Sequence, residues 1–240
     1  MIKKITLALL FTIPSLTFTM DLDSYYITAK GGASKTSDTG ETSFILYNGA
    51  SRALQNDDLG TGSAFGFSLG KYLTDSFRLE LEAIKRTGYE YDGRAIPFPT
   101  FTYKTKMQTE ALFVNGFYNF QPFTMSNTAI TPYLGGGVGI SRNKMGTTVF
   151  RNNGIPSGTT IDGGTINQFA YKLSAGTLVS LTEQLSLDVN YQYVNLAAFK
   201  GGTELFFNGD RMPANDRQRG INGGDIKTQE LMVGLQYTFK

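Results

Sequence analysis

From Leu185 to Tyr193 the chain alternates without interruption: Leu185, Leu187, Val189, Tyr191 and Tyr193 share one face, while Ser186, Asp188, Asn190 and Gln192 share the other. Period two sustained in this way predicts a β-strand. The C-terminal segment repeats it, with Leu231, Val233, Leu235, Tyr237 and Phe239 set against Glu230, Met232, Gly234, Gln236 and Thr238. Phe77, Leu79, Leu81 and Ala83 oppose Arg78, Glu80 and Glu82, and Phe169, Tyr171, Leu173 and Val179 oppose Lys172, Ser174, Gly176 and Ser180. Three more strands follow from Tyr25, Ile27 and Ala29 against Tyr26, Thr28 and Lys30, from Phe65, Phe67 and Leu69 against Ala64, Gly66, Ser68 and Gly70, and from Leu134, Val138 and Ile140 against Tyr133, Gly135, Gly137 and Gly139. Gln108 to Phe120 reads in either register, because Glu110 and Asn115 fall on opposite faces, and a bulge there reconciles the two.

These are eight strands, and their connections are unequal. Short links surround Thr74-Asp75-Ser76 and Thr182-Glu183-Gln184, with a modest one near 124–128. The segments 33–62, 86–106, 142–167 and 195–225 are long, show little periodicity and are rich in Gly, Asn, Asp, Ser and Thr. Strict alternation of short and long connections predicts an all-β fold: an eight-stranded antiparallel up-and-down transmembrane barrel, with four long external loops and short periplasmic turns.

Alternation alone does not say which face meets oil. The polar face mixes Gly, Ala and Ser with Lys30, Arg78, Glu80, Glu82, Lys172, Asp188 and Glu230, which suits the narrow interior of an eight-stranded barrel and reads as a lumen charge network. The other face holds Leu, Val, Ile and Phe in its middle and gathers Tyr25, Tyr72, Tyr191, Tyr193, Tyr237 and Phe239 towards strand ends, the arrangement of an interfacial aromatic girdle. Lipid is therefore placed outside.

Composition narrows the chemistry. There is no Cys, His or Trp, which removes disulfides, His-based acid–base catalysis and Cys/His zinc sites. The formal charge is only +2, so nothing in the chain predicts nucleic-acid binding. No cofactor or metal is expected. Lys3 and Lys4, the apolar run Ile5 to Ile13 and the small residues around Thr17-Phe18-Thr19 resemble a secretory signal peptide, so residues 1–19 read as a leader and 20–240 as the barrel.

Gly66-Phe67-Ser68-Leu69-Gly70 matches a nucleophile elbow, but without His it is read as lumen packing around a small Ser68. Ser141-Arg142-Asn143-Lys144 matches S-x-x-K at a point read as a strand running into a loop, and its companion motifs are missing. The glycines of Gly135-Gly136-Gly137-Val138-Gly139 read as inner-face packing that leaves room for Tyr133 and for facing charges. In the last long segment Phe206, Phe207, Arg211, Arg217 and Arg219 form a candidate loop contact for a partner.

Phe77-Arg78-Leu79-Glu80-Leu81, Asn115-Gly116-Phe117-Tyr118, Pro132-Tyr133-Leu134-Gly135-Gly136-Gly137-Val138-Gly139 and the final Gly234-Leu235-Gln236-Tyr237-Thr238-Phe239 occur in an order that resembles the small outer-membrane β-barrel superfamily, which includes opacity proteins and bacterial surface antigens. The resemblance covers nearly all of the chain after the leader. It implies a non-enzymatic, surface-exposed protein of a Gram-negative outer membrane, antigenic or adhesive through its long loops, with a narrow porin-like channel as the alternative. The implied partners are outer-membrane lipid and lipopolysaccharide, the assembly machinery through Tyr237 and Phe239, and a host-surface or matrix protein.

Overall fold

A computed structural model describes residues 24–37, 42–45, 51–55, 59–95, 98–211 and 220–239. The expected leader, Arg217, Arg219 and Lys240 lie outside the described residues. The main strands are β1 (Tyr25–Thr36), β2 (Thr61–Tyr72), β3 (Phe77–Ala95), β4 (Phe98–Asn119), β5 (Thr128–Met145), β6 (Gly164–Ser180), β7 (Leu185–Lys200) and β8 (Gly220–Thr238). Each pairs antiparallel with the next, and β8 returns to β1 with Thr238 opposite Tyr26 and Thr228 opposite Thr36, so the sheet closes on itself.

The short turns share one chemistry. In Leu73-Thr74-Asp75-Ser76-Phe77 the Thr74 hydroxyl accepts from the backbone N–H of Ser76 and Phe77, and in Leu181-Thr182-Glu183-Gln184-Leu185 the Thr182 hydroxyl accepts from Gln184 and Leu185. A side chain that bonds its own backbone in this way favours a turn over a continued strand. Between β4 and β5, Phe123–Met125 folds back on Thr128–Ile130, and Ser126 and Asn127 take positive φ.

Outward positions form continuous apolar rows. Phe67, Ala83, Leu112, Ile140 and Phe169 stand in register across β2 to β6, directly below a row of Phe65, Lys85, Glu110, Arg142 and Asn167. The first row is apolar and exposed across the wall, and the second marks where charge begins.

Three local expectations are corrected. β4 carries no bulge between Gln108 and Phe120: Glu110 faces out, where Lys144 donates to both its oxygens at 2.9 Å, and Asn115 faces in, both in one unbroken alternation. The break is on β3, where pairing shifts between Arg86 and Tyr89 and Gly88 adopts φ +89°, open to glycine and strained for other residues. Tyr72 shares the inward parity of Ser68 and Gly70; its ring packs 5.2 Å from that of Tyr26 and its hydroxyl accepts from Gln236, so it closes the short-turn mouth and is not part of the girdle. Ser141 and Lys144 lie on a strand that continues to Met145 and point to opposite faces, with Ser141 donating to the Leu196 carbonyl at 2.7 Å.

The long connections are largely strand. β3 and β4 continue past the membrane rows to Ala95 and Phe98. Thr148–Asn152 pairs with β4 and, through a turn at Asn153-Gly154, with Ile155–Ile161; that strand pairs with Leu205–Phe207, which turns at Asn208-Gly209 to Asp210–Arg211. Both Asn-Gly pairs have positive φ, as a two-residue hairpin turn requires. On the other side Thr42–Ile45 and Ser51–Gln55 bridge β8 to β3.

Val114 occupies the apolar row in register with Leu81 and Val138 and is 56% exposed to the surroundings of the wall. Val114→Arg is expected to lower stability in a bilayer by about 2–4 kcal/mol. Urea titration of the barrel in lipid vesicles, followed by heat-modified gel mobility, checks this.

Candidate functional site

The barrel interior is built in tiers. At the bottom, Arg78 lies over the rings of Phe117 at 4.2 Å and Tyr133 at 4.5 Å. Its Nη1 donates to Gln236 Oε1 at 3.1 Å and its Nε to Asn119 Oδ1 at 3.3 Å. Among the described residues no carboxylate lies within ion-pair distance of Arg78, so its charge is held by ring faces and amide oxygens. Glycines make these positions possible: a Cβ at Gly135 would collide with Phe117, one at Gly137 with Asn115, and one at Gly176 with Tyr133. Tyr133 thus owes its room to Gly176, and the glycines of its own strand serve β4.

In the middle tier Lys30 Nζ lies 2.9 Å from Glu82 Oε1 and 3.9 Å from Glu80 Oε1, and Lys172 caps the other oxygen of Glu82. Asn115 Nδ2 donates to Glu80 at 3.1 Å and to Glu82 at 2.9 Å. Asp188 accepts from the Tyr133 hydroxyl at 2.6 Å and from Asn190 at 3.3 Å. In the upper tier Glu230 accepts from Arg86 Nε at 2.5 Å, Arg86 Nη2 at 3.1 Å, Ser34 at 2.6 Å, Thr228 at 2.8 Å and Gln192 at 2.5 Å.

All seven charges expected inside are buried at successive heights; Tyr26, which accepts from Arg78 Nη1 at 3.4 Å and donates to Glu80 at 3.3 Å, links the bottom tier to the middle one, and Glu230 bonds Arg86 above them. Arg86, which bonds Glu230, falls at the start of the segment 86–106 that the sequence predicts as a long loop. It continues the parity of Arg78, Glu80 and Glu82, and extending that alternation by two steps finds it. With Arg86 included, the buried charges among the described residues are Lys30, Arg78, Arg86 and Lys172 against Glu80, Glu82, Asp188 and Glu230, which balance.

Above Arg86 the interior turns apolar. Leu59, Tyr89, Tyr91, Tyr103, Phe150, Ile161, Leu196, Phe199, Ile221 and Ile226 are buried there as one cluster. Burial pushes the Tyr103 hydroxyl well above the ordinary tyrosine range. On the outer surface at this height Lys104 lies 2.6 Å from Glu90; that hydrogen bond holds the Glu90 carboxyl below its usual range and the Lys104 ammonium above its own. Phe206 is half-buried, Phe207 is exposed, and Arg211 is exposed and paired with Glu204. At the opposite rim Tyr237 and Phe239 meet edge to face, 5.2 Å apart.

A family model described as the outer membrane protein beta-barrel domain matches residues 5–239. The chain belongs to this family. Membership places it in the cell outer membrane, with the apolar rows in lipid. Within the reach of this barrel family, the outer membrane protein PagN of Salmonella typhimurium is 27% identical over 240 residues, covering 90% of each chain. The fold is shared with the outer membrane protein OprG of Pseudomonas aeruginosa at a TM-score of 0.54 and 15% identity, covering 90% of this chain and 97% of that one. It is shared equally with the outer membrane protease OmpT of Escherichia coli at 0.52 and 13% identity, covering 94% and 99%.

Arg86→Ala leaves the fully buried Glu230 without its cation, and breaking a buried pair from one side costs about 3–5 kcal/mol. Adding Glu230→Gln to that variant is expected to recover more than half of the loss. Equilibrium unfolding of the wild type, both single variants and the double variant in detergent provides the cycle.

Proposed function

We propose that this outer-membrane barrel is a non-conducting, non-enzymatic surface protein that binds a host-surface or matrix partner through its external strands. The observation that carries the reading is the filled interior. Arg78, Arg86 and Lys172 are shielded from solvent at successive heights in the lumen, and Tyr89, Tyr91, Tyr103 and Phe199 are shielded above them. An eight-stranded barrel has little width beyond its own side chains, so these tiers occupy the space a solute would need. That weighs against the channel reading. The protease fold-mate does not favour catalysis here, since likeness at this identity concerns backbone alone, and a chain without His lacks the usual general base.

What the barrel offers the medium is a strand-built surface. The hairpin tip carries Ile155, 70% exposed, and the neighbouring hairpin carries Phe207, 47% exposed, on one face, with Arg211 exposed on the other, opposite Phe206. Aromatic and Arg side chains on a pre-ordered scaffold are the residue types that anchor protein interfaces. Tyr237 and Phe239, paired at the opposite rim, serve in this proposal as the signal read by the assembly machinery.

Two measurements test the reading. Planar bilayer recordings of the refolded protein are expected to show no stable conductance steps, and large steady steps support the channel instead. Deleting 149–160 together with 205–211 is expected to abolish binding to cells or matrix while heat-modifiable folding persists. Retained binding by a folded deletion variant refutes the assigned surface.

A further inference from the structure

Among the described residues Asn is followed by Gly at four places: Asn115-Gly116 in β4, Asn153-Gly154 and Asn208-Gly209 at the two external hairpin turns, and Asn222-Gly223 in β8. Such a pair carries a reaction of its own. The backbone nitrogen of a glycine, with no Cβ beside it to obstruct approach, can attack the carboxamide carbon of the asparagine before it. The reaction requires that nitrogen to be free, the carboxamide to be able to swing, and water to reach both.

The fold answers differently at each pair. Asn115 is buried, stands between Glu80 and Gly137 in the sheet, and its Nδ2 donates to Glu80 and Glu82. Asn222 lies within a strand, in register with Lys200 on one side and Ser43 on the other. Asn208 is exposed, but its N–H donates to the Gly158 carbonyl at 2.9 Å and its Oδ1 lies so close over Gly158 that a Cβ there would strike it. Asn153 has no such restraint on its side chain. It and Gly154 are exposed, and its own N–H donates to the Thr100 carbonyl at 3.0 Å, which holds the backbone alone. Among the described residues neither its carboxamide nor the Gly154 N–H forms a hydrogen bond, and a Cβ at Gly154 would meet nothing within 4 Å. The pair also sits at the tip of a hairpin, where the local opening that brings nitrogen onto carbon costs least.

We propose that Asn153-Gly154 is a site of spontaneous covalent modification, at which the hairpin tip converts from asparagine to aspartate or isoaspartate. The Gly154 nitrogen gives its proton to solvent and bonds to Asn153 Cγ; the Cγ–Nδ2 bond breaks, and Nδ2 takes a proton from water and leaves as ammonia. The product is a cyclic succinimide. Water then adds to one of its two carbonyl carbons, and nothing is oxidised or reduced. Opening on one side restores the backbone with a carboxylate side chain, and opening on the other routes the chain through Cβ and Cγ, lengthening the turn by one carbon. Either product puts a negative charge near Arg151, whose Nη1 donates to the Gly154 carbonyl at 3.3 Å. The lengthened backbone no longer fits the two-residue turn that sets Ile155 opposite Asn152. That this alters a partner-binding surface rests on the function proposed above; the chemistry does not.

The test uses the full chain refolded in zwitterionic detergent, aged in neutral buffer and followed by peptide mapping with mass spectrometry, with isoaspartyl methyltransferase labelling to detect the lengthened product. The Asn153 peptide is expected to gain one mass unit about tenfold faster than the Asn222 peptide, a barrier difference of about 1.4 kcal/mol. Asn208 is expected to trail Asn153, and Asn115 to stay intact. In urea, where the unfolded chain frees every pair, the ranking is expected to collapse. Asn153→Gln, whose longer side chain disfavours the ring, is expected to show no mass gain at that position while the other pairs keep their order. The proposal is overturned by an Asn153 that survives as long as Asn222, by an Asn208 that reacts first, or by the same ranking in urea. Mass is read without any partner, so failure here and failure of the proposed contact surface are told apart.

Discussion

Hydrocarbon tolerates no unpaired backbone N–H or C=O, and this requirement governs the rest of the molecule. A sheet meets it only by closing, which β8 does on β1 over the whole span from Tyr26 to Thr36. Closure at eight strands then sets the interior width, and period two sends every second side chain into it. The interior must consequently be filled by whatever the inward positions carry. Small residues are needed where large ones cross, which is why a Cβ at Gly135, Gly137 or Gly176 would strike Phe117, Asn115 or Tyr133.

Filling that space with charge is costly unless the charges balance, because ions taken from water lose several kcal/mol each in a dry interior. The four cations and four carboxylates meet this condition in different ways. Glu230 is saturated by five donated hydrogen bonds, and Glu82 is shared between two lysines. Arg78 is held by aromatic faces and amides. Such an arrangement adds little net stability over an apolar filling, yet it penalises strand register shifts severely, since a slip of one residue would turn Glu80 and Glu82 into lipid. For a chain that pairs its strands without water to correct errors, that penalty has a structural use.

The membrane half of the fold was legible because outer and inner faces differ in polarity at every step, so Leu231 to Gln236 or Phe77 to Glu82 announce their orientation residue by residue. Legibility failed where that contrast disappears. Phe113 and Phe117 point inward against the charge network, and Glu110 points outward above the lipid, so hydrophobicity alone misjudged β4 and asked for a bulge it does not have. Tyr72 failed for the same reason, as an aromatic at a strand end that turns inward. Beyond the membrane the interior becomes apolar while the exterior meets water, and the polarity of the alternation inverts: Tyr89, Tyr91 and Tyr103 face in, Lys104 and Glu90 out. A pattern reversed by one residue at Gly88 reads as noise, which hid Arg86 along with the external strands. The Asn-Gly pairs at 153–154 and 208–209 were the local signal that those segments are hairpins.

That inversion explains why the external strands are ordered at all. A sheet standing in water needs a core of its own, and the cluster from Leu59 through Phe199 to Ile226 provides one, continuous with the barrel below. Thr148–Asn152 and Ile155–Ile161 contribute Phe150 and Ile161 to it, so the hairpin is anchored by burial as well as by backbone pairing. The same side chains that close the lumen therefore hold the outermost surface rigid. Widening the interior into a conduit would remove the support of the external strands, whereas keeping it filled pre-orders them and reduces the entropy lost when a partner binds. A filled lumen and an ordered external sheet are thus two consequences of one packed interior, and in the function proposed above that packing serves contact with a partner.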